Sequence, residues 1–410
     1  MTERNKPRLR FFESASGQRH VTDADRYLYR HGAPRFKANV IGTGTIGQEH
    51  MRVATLLGRI AIHGIYDSST HSMDVAESEF AKLDDTPLVR YETLEAACND
   101  DVDVLFICTP NFSHIEVLRT AAKSGKAIFL EKPMATTLSD AAAIVDIANA
   151  YHSFIQVGLQ YRYKAAYVEA QHEVKDRGTI GPVRSIAMRE FRPPFLDKVA
   201  QWNKFNRYSG GTLVEKCCHY FDLINLFAGG RATRVYASSQ QAVNYKDFEY
   251  QNEASDIDDL AAVIIDYDNG VQATFSLSMF CPNFEEDLTI CGDLGKMTAV
   301  ERWDFQRDST ASASLTIELG ETGASRQTDL SYTDTVETSG HHGATWFEHA
   351  ALADRLEGRP STAATPEEGL WSVIVAAAAE QSASSGEAVR IADLLADHGL
   401  QHLLNEEDNA

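Results

Sequence analysis

Gly42-Thr43-Gly44-Thr45-Ile46-Gly47 follows the apolar run KANVI and precedes a helical period, QEHMRVATLL. At a strand-to-helix turn the first glycine permits the tight bend and the second lets backbone approach a pyrophosphate. The third allows close helix–strand packing, and the helix N-terminus, with Thr45 and Ile46 in its first turn, faces the phosphates. The next apolar run, IAIHGIYD, ends on Asp67, 25 positions beyond Gly42. A carboxylate there can accept hydrogen bonds from the adenosine ribose hydroxyls and repels a 2′-phosphate. No arginine follows in YDSSTHS, so the pattern favours NAD over NADP.

Two further groups of residues have chemistry to offer. The run KAIFLE ends in Glu131-Lys132-Pro133, at the carboxyl edge of a sheet where ligands of such folds bind. A lysine at a strand end reads equally as a solvated surface charge. In GGTLVEKCCHYFDLI, residues 210–224, Glu215 and His219 stand four apart and Asp222 a further three, which on one helix puts them on one side. A histidine on a partly apolar helix is more often structural. Alcohol oxidation, however, needs a base for the hydroxyl proton, and imidazole, with a pKa of about 6.5, suits that role.

These residues need elements to hold them. From Lys37 to about Gly158 apolar runs alternate with helical periods (KANVI, IAIHGIYD, DVDVLFICTP, KAIFLE and SFIQVG between QEHMRVATLL, SHIEVLRTAAKSG and SDAAAIVDIANAY). Right-handed crossovers turn that pattern into a doubly wound parallel sheet of the Rossmann type. After about Leu159 the strands alternate in character: VRSIAMREF, ATRVYASSQQA, DDLAAVIIDY, VQATFSLSMF, EDLTICGD, KMTAVE and SLTIEL. One helix at about 211–227 interrupts them, and the end is helical, with Thr365-Pro366-Glu367-Glu368 opening a long helix through a capping box. The expected organisation is α/β: a basic extension at 1–37, a Rossmann domain at 38–159, and an α+β domain at 160–410 with a largely antiparallel open sheet and C-terminal helices.

Composition narrows the partners. The formal charge is −21 over 410 residues, which disfavours nucleic acid and anionic membranes, since both need a basic face. Residues 1–37 run against this, with nine Lys/Arg to four Asp/Glu. They read as a loosely ordered tail or as an arm laid on acidic surface. The six cysteines show no CxxC or metal spacing and read as reduced thiols of a cytoplasmic enzyme, with no metal site expected. No apolar stretch approaches the roughly 20 residues of a membrane helix.

The glycine fingerprint, CTPNFSH, EKP, GLQYRY, GG-x3-E-x3-H-x2-D and A-x2-QSASSGEAV occur in one order. Together they resemble the glucose–fructose oxidoreductase/inositol dehydrogenase family (Gfo/Idh/MocA) over roughly residues 38–395. The resemblance implies NAD in a Rossmann domain, with Thr109, Pro110, Asn111 and His114 lining the dinucleotide and Glu131 near the nicotinamide ribose. It implies Lys132 as catalytic lysine, with Pro133 commonly cis, and His219 as catalytic histidine. Arg162 matches a substrate-side arginine, and His342 of HHGA a histidine near the pocket, although His341 leaves that register open. The family's open sheet commonly forms subunit interfaces, so a homodimer or homotetramer is expected. One departure stands out: the family carries Asp four residues before the histidine, where this chain has Glu215.

The implied reaction moves a hydride between nicotinamide and a secondary alcohol of a sugar or cyclitol. Lys132 steadies the developing alkoxide, and His219 takes the proton directly or through Glu215. An NAD-dependent glycosidase and a non-catalytic NAD-binding regulator are the alternatives. Between Arg162 and Arg207 stand ten Lys/Arg and five Asp/Glu, an excess that suggests an anionic sugar held by two or more of Arg162, Lys164, Lys204 and Arg207, with Asn203 beside them and Trp202 over the sugar's apolar face.

Overall fold

The computed structural model describes residues 33–304, 311–320 and 323–404; the basic extension lies almost wholly outside them. The first sheet has six parallel strands, β1 (Phe36–Ile41), β2 (Ile60–Tyr66), β3 (Val89–Arg90), β4 (Val104–Ile107), β5 (Ala127–Glu131) and β6 (Ile155–Gly158), in the order β3-β2-β1-β4-β5-β6. The change of direction between β1 and β4 is the switch point at which such sheets bind ligands. Every residue of β4, β5 and β6 is buried, which explains why their sequences are unbroken rather than alternating.

The second sheet has nine strands: β7 (Val183–Phe191), β8 (Ala232–Gln240), β11 (Leu260–Tyr267), β12 (Gln272–Ser278), β13 (Phe284–Gly292), β14 (Gly295–Trp303), β15 (Ser312–Leu319), β16 (Ser325–Leu330) and β17 (Val389–Arg390); β9 (Glu249–Tyr250) and β10 (Glu253–Ala254) form a separate hairpin. The order is β16-β15-β14-β13-β7-β12-β11-β8-β17, antiparallel throughout except for the parallel β7–β12 pair. Alternation puts Val235, Ala237, Val263 and Ile265 inside and leaves Tyr236 and Ile264 exposed on the far face.

Along β7 the inward positions are Ile186, Met188 and Glu190, so the same alternation buries a carboxylate. Glu286 on β13 and Glu301 on β14 are also buried. Register sets the three side by side: Glu286 faces Glu190 across one ladder and Glu301 across the other.

Two long helices tie the sheets together. Pro366–Ser385 lies on β8 and against helices Cys218–Ala228 and Leu138–Ala150. Its capping box forms as the sequence predicts: Glu368 N donates to Thr365 Oγ1 (3.2 Å) and Thr365 N donates to Glu368 Oε2 (2.8 Å), with Pro366 in the first turn. Helix Ala344–Leu356 returns to the first domain and packs on helix Thr45–Leu57, where Leu352 and Ala353 join the apolar cluster of β1, β2 and β4. Leu352→Ala is therefore expected to lower stability by about 2–5 kcal/mol in thermal or urea unfolding, while Leu404→Ala, at an exposed site, stays within about 0.5 kcal/mol. A small loss at Leu352 would separate this helix from the Rossmann core.

Candidate active site

The glycine turn is built as its residue types require. Gly42 has φ +92, and a Cβ there would stand 2.6 Å from Thr109 N. A Cβ on Gly47 would stand 2.0 Å from Gly42 O, so only hydrogen fits between helix and strand. Gly44 differs: a Cβ on it would meet nothing within 4 Å. Its face opens onto the N-terminus of helix Thr45–Leu57, which has no side-chain cap, so the first-turn N–H groups at Thr45 and Ile46 are left for an anion. Asp67 ends β2 and also fastens the turn, since Thr43 N donates to its Oδ2 and Ser69 N to its Oδ1, each at 2.8 Å. In the loop after β4, Asn111 is buried with its Nδ2 unpartnered, and Ser113 Oγ donates to Thr109 Oγ1 at 2.9 Å. The open glycine face, the uncapped helix and this orphaned amide fit a dinucleotide. His114 is fully buried, its ring nitrogens 2.9 Å from Thr109 O and 3.0 Å from Pro133 O, so it braces the loop rather than facing the cleft.

Beyond that cradle lies the chemistry. The Lys132–Pro133 peptide is cis, and Lys132 Nζ donates to the Glu215 backbone carbonyl at 3.4 Å. Burial works against the Lys132 ammonium, but the charge of Glu215 and further anionic neighbours outweigh it and raise its pKa, so Lys132 stays protonated. Glu131 is buried, takes a hydrogen bond from Lys132 N (3.0 Å) and lies 2.8 Å from His50 Nε2. His50 Nδ1 in turn is 2.7 Å from His349 Nε2. His50 follows the glycine fingerprint by three residues, a spacing that could have drawn attention to it; His349 comes from the far end of the chain.

The helix expected at about 211–227 is two helices, Thr212–Glu215 and Cys218–Ala228, parted at Lys216–Cys217. Glu215 and His219 therefore do not share one continuous helical face. His219 is buried, its Nδ1 has no partner, and its ring lies flat on Tyr161 with centroids 4.0 Å apart and planes 8° from parallel. Burial first, then the charges of Lys132, Lys216, His341 and Lys164, push its pKa well below the ordinary value. The surroundings thus favour the charged form of Lys132 and the neutral form of His219.

Several expected substrate contacts are spent elsewhere. Arg162 is buried, donating from Nε to Asp222 Oδ2 (2.7 Å), from Nη2 to Asp222 Oδ1, and from Nη1 to Glu368 Oε2 (3.0 Å). Its fork is filled by carboxylates of two helices. Lys204 is buried against Asp197, Asn203 donates to Leu196 O (3.1 Å), and Arg207 is exposed and forked onto Glu253. Trp202 meets Phe112 edge-on at 6.4 Å, across from the Asn111 loop. Of the two histidines in HHGA, His341 sits 2.6 Å from Glu49 Oε1, with its ring 6.3 Å from Tyr161. His342 points instead to Trp303 and Glu337. Both histidines have left-handed backbone, φ 41 and φ 52, which a non-glycine pair adopts at a cost. Burial opposes the Glu49 carboxylate, yet His341 chiefly draws its pKa down to about 2. Among the described residues no cluster suited to a metal occurs, and all six cysteines are free.

Two family models match: the NAD-binding Rossmann fold of an oxidoreductase family over residues 36–159, and that family's C-terminal alpha/beta domain over 176–391. The chain belongs to the Gfo/Idh/MocA oxidoreductase family. Its Rossmann domain is an NAD-binding one. The chain is 26% identical to an oxidoreductase of Bacillus subtilis, YrbE, over 67% of this chain and 75% of that protein. It is 24% identical to the myo-inositol 2-dehydrogenase of Thermotoga maritima, over 70% and 80%. A solved levoglucosan dehydrogenase, in complex with NADH and levoglucosan, shares the fold at TM-score 0.70 and 18% identity, over 87% of this chain and 99% of that one.

The glycine geometry makes a paired prediction. Gly44→Ala should leave the melting temperature without NAD unchanged and weaken NAD binding at least about tenfold by calorimetry. Gly47→Ala should instead lower that melting temperature outright. Equal effects of the two on binding and stability would contradict the open face at Gly44. For Arg162, Arg162→Met should destabilise by about 3–5 kcal/mol through the stranded Asp222, and Arg162→Met/Asp222→Asn by less. A wild-type melting temperature for the single variant would return Arg162 to the substrate.

Proposed function

We propose that this protein uses NAD to oxidise a secondary alcohol of a sugar or cyclitol, or to reduce the corresponding ketone. The observation that carries the reading is geometric: beside a dinucleotide cradle, Lys132 Nζ is held on the Glu215 carbonyl and the buried His219 keeps its Nδ1 without a partner. The surroundings favour the charged form of the lysine and the neutral form of the imidazole. Bound NAD supplies the hydride acceptor. The chain's own residues supply the rest. The Lys132 ammonium, fixed by the Glu215 carbonyl, donates to the reacting oxygen and stabilises negative charge as it develops there. Neutral His219 accepts the hydroxyl proton, which Lys132 cannot do while it remains an ammonium. On this reading Glu215, whose backbone carbonyl holds Lys132, binds a neighbouring hydroxyl, and Trp202, beside Phe112, covers an apolar face of the ring.

The paired states of Arg162, Lys204 and Arg207 leave an acidic substituent without the residues first assigned to it, so a neutral polyol is the substrate class we expect. Inositol dehydrogenases among the relatives support a cyclitol or sugar alcohol as the substrate class.

The test is a panel of neutral sugars, inositols and matched sugar acids, read by the absorbance of reduced nicotinamide. NAD should bind at least about tenfold better than NADP, roughly 1.4 kcal/mol, because Asp67 repels a 2′-phosphate. Lys132→Ala and His219→Ala should each lower turnover on the order of 10²-fold with NAD binding retained. Aglycone release from a glycoside without net reduction of NAD would select the glycosidase chemistry, and near-normal turnover in either variant would remove that residue's role.

A further inference from the structure

The buried carboxylate row of β7, β13 and β14 has a counterpart of cations, and two of these cations close on one phenol ring. Lys164 Nζ donates to Glu286 (2.7 Å) and Glu301 (2.6 Å), and Lys216 Nζ stands 3.2 Å from Glu190. Arg192 Nη1 adds a weaker contact to Glu190 at 3.6 Å. Tyr220 OH (2.8 Å) and Tyr167 OH (3.1 Å) also donate to Glu286. Lys216 donates to the Tyr161 phenol at 2.7 Å, and both ammoniums lie against the Tyr161 ring, Lys164 at 4.2 Å and Lys216 at 4.6 Å from its centroid. The ring that these cations grip is the one stacked on His219.

We propose that Tyr161 and Lys216 are positioning residues for His219, the phenol ring fixing the plane of the imidazole and the ammonium that holds the phenol placing a fixed positive charge beside it. The proposal rests on the assignment of His219 as the proton acceptor. A neutral imidazole packs face to face on an electron-rich ring and can take a proton; an imidazolium in the same place meets Lys132 at the end of β5, Lys164 and Lys216, and His341. The charge of Glu215, before the break in the helix, bears on Lys132, and Glu49 is engaged by His341. Lys216 holds its own charge although burial opposes it, because Glu190 stands against it. The arrangement is physically sensible for an oxidation, since the base must be free of its proton before the alcohol arrives.

The sign follows directly. Activity needs neutral His219, so kcat/KM falls as pH drops through its pKa. Removing a nearby positive charge raises that pKa and moves the acid limb to higher pH. The experiment is the pH profile of kcat/KM together with a carbon-13 histidine NMR titration of the full chain, His219 being assigned with His219→Asn. Lys216→Met should raise both midpoints by about one pH unit, and Lys216→Arg should keep them near wild type. Tyr161→Leu, which removes the stack, should lower kcat more than it changes KM. If Lys216→Met does not fold, Lys216→Met/Glu190→Gln takes its place with a smaller rise, because the ammonium touches the phenol and the carboxylate stands behind it. Midpoints unmoved in the folded variant would overturn the proposal. A wild-type enzyme without turnover, or a His219→Asn variant with full turnover, would instead overturn the function reading, and the NMR midpoints would still decide the role of Lys216.

Discussion

The centre of this molecule is arranged around three buried carboxylates that strand register sets in a row. Like charges directly opposite on adjacent strands repel, and burial makes each more costly to keep ionised. Glu190, Glu286 and Glu301 remain within the core because Lys164, Lys216 and Arg192 are brought down onto them. Burial opposes the Glu286 carboxylate, but Lys164 above all draws its pKa down to about 2. The lysines are not optional decoration in such a layer: each carboxylate left alone would be an uncompensated buried charge, the costly half of a broken ion pair. Because Lys164 and Lys216 both close on Tyr161, the sheet's need for cations also decides where the ring beneath His219 lies.

A second set of polar contacts runs between the domains and sets the other half of the site. Glu131, at the tip of β5, is held by His50 from the first helix, and His50 by His349 from the last third of the chain. Glu49, on that same first helix, receives His341 and Thr345. Arg162 joins the start of the second domain to helices Cys218–Ala228 and Pro366–Ser385. The cofactor cradle and the substrate side are thus registered by hydrogen bonds whose partners lie far apart in sequence. If Lys132 and His219 act together as proposed, they need such ties across the two domains, since small misplacements of reacting groups cost much of the rate.

Much was legible in the residues alone, for local reasons. A glycine turn, a strand-end acid, a capping box and the alternation of seven strands are all written in near-neighbour spacing, and backbone sterics and periodicity translate them with little help from the rest of the fold. Hence Gly42, Gly44, Gly47 and Asp67 come together at the head of one helix, and Thr365-Pro366-Glu367-Glu368 opens another. What sequence could not fix was the partner of each charge. Arg162 looks like an anion-binding fork until Asp222 and Glu368 fill it, and nothing in VRSIAMREF tells that β13 and β14 align two more carboxylates beside Glu190. His341 and His342 are adjacent and chemically identical, and only the left-handed backbone at both turns one toward Glu49 and the other toward Glu337. Spacing within a segment is a covalent property and travels with the sequence. Ion pairing, burial and strand register depend largely on segments distant in the chain, so tertiary structure alone decided which charges were spent on the fold and which remained for chemistry.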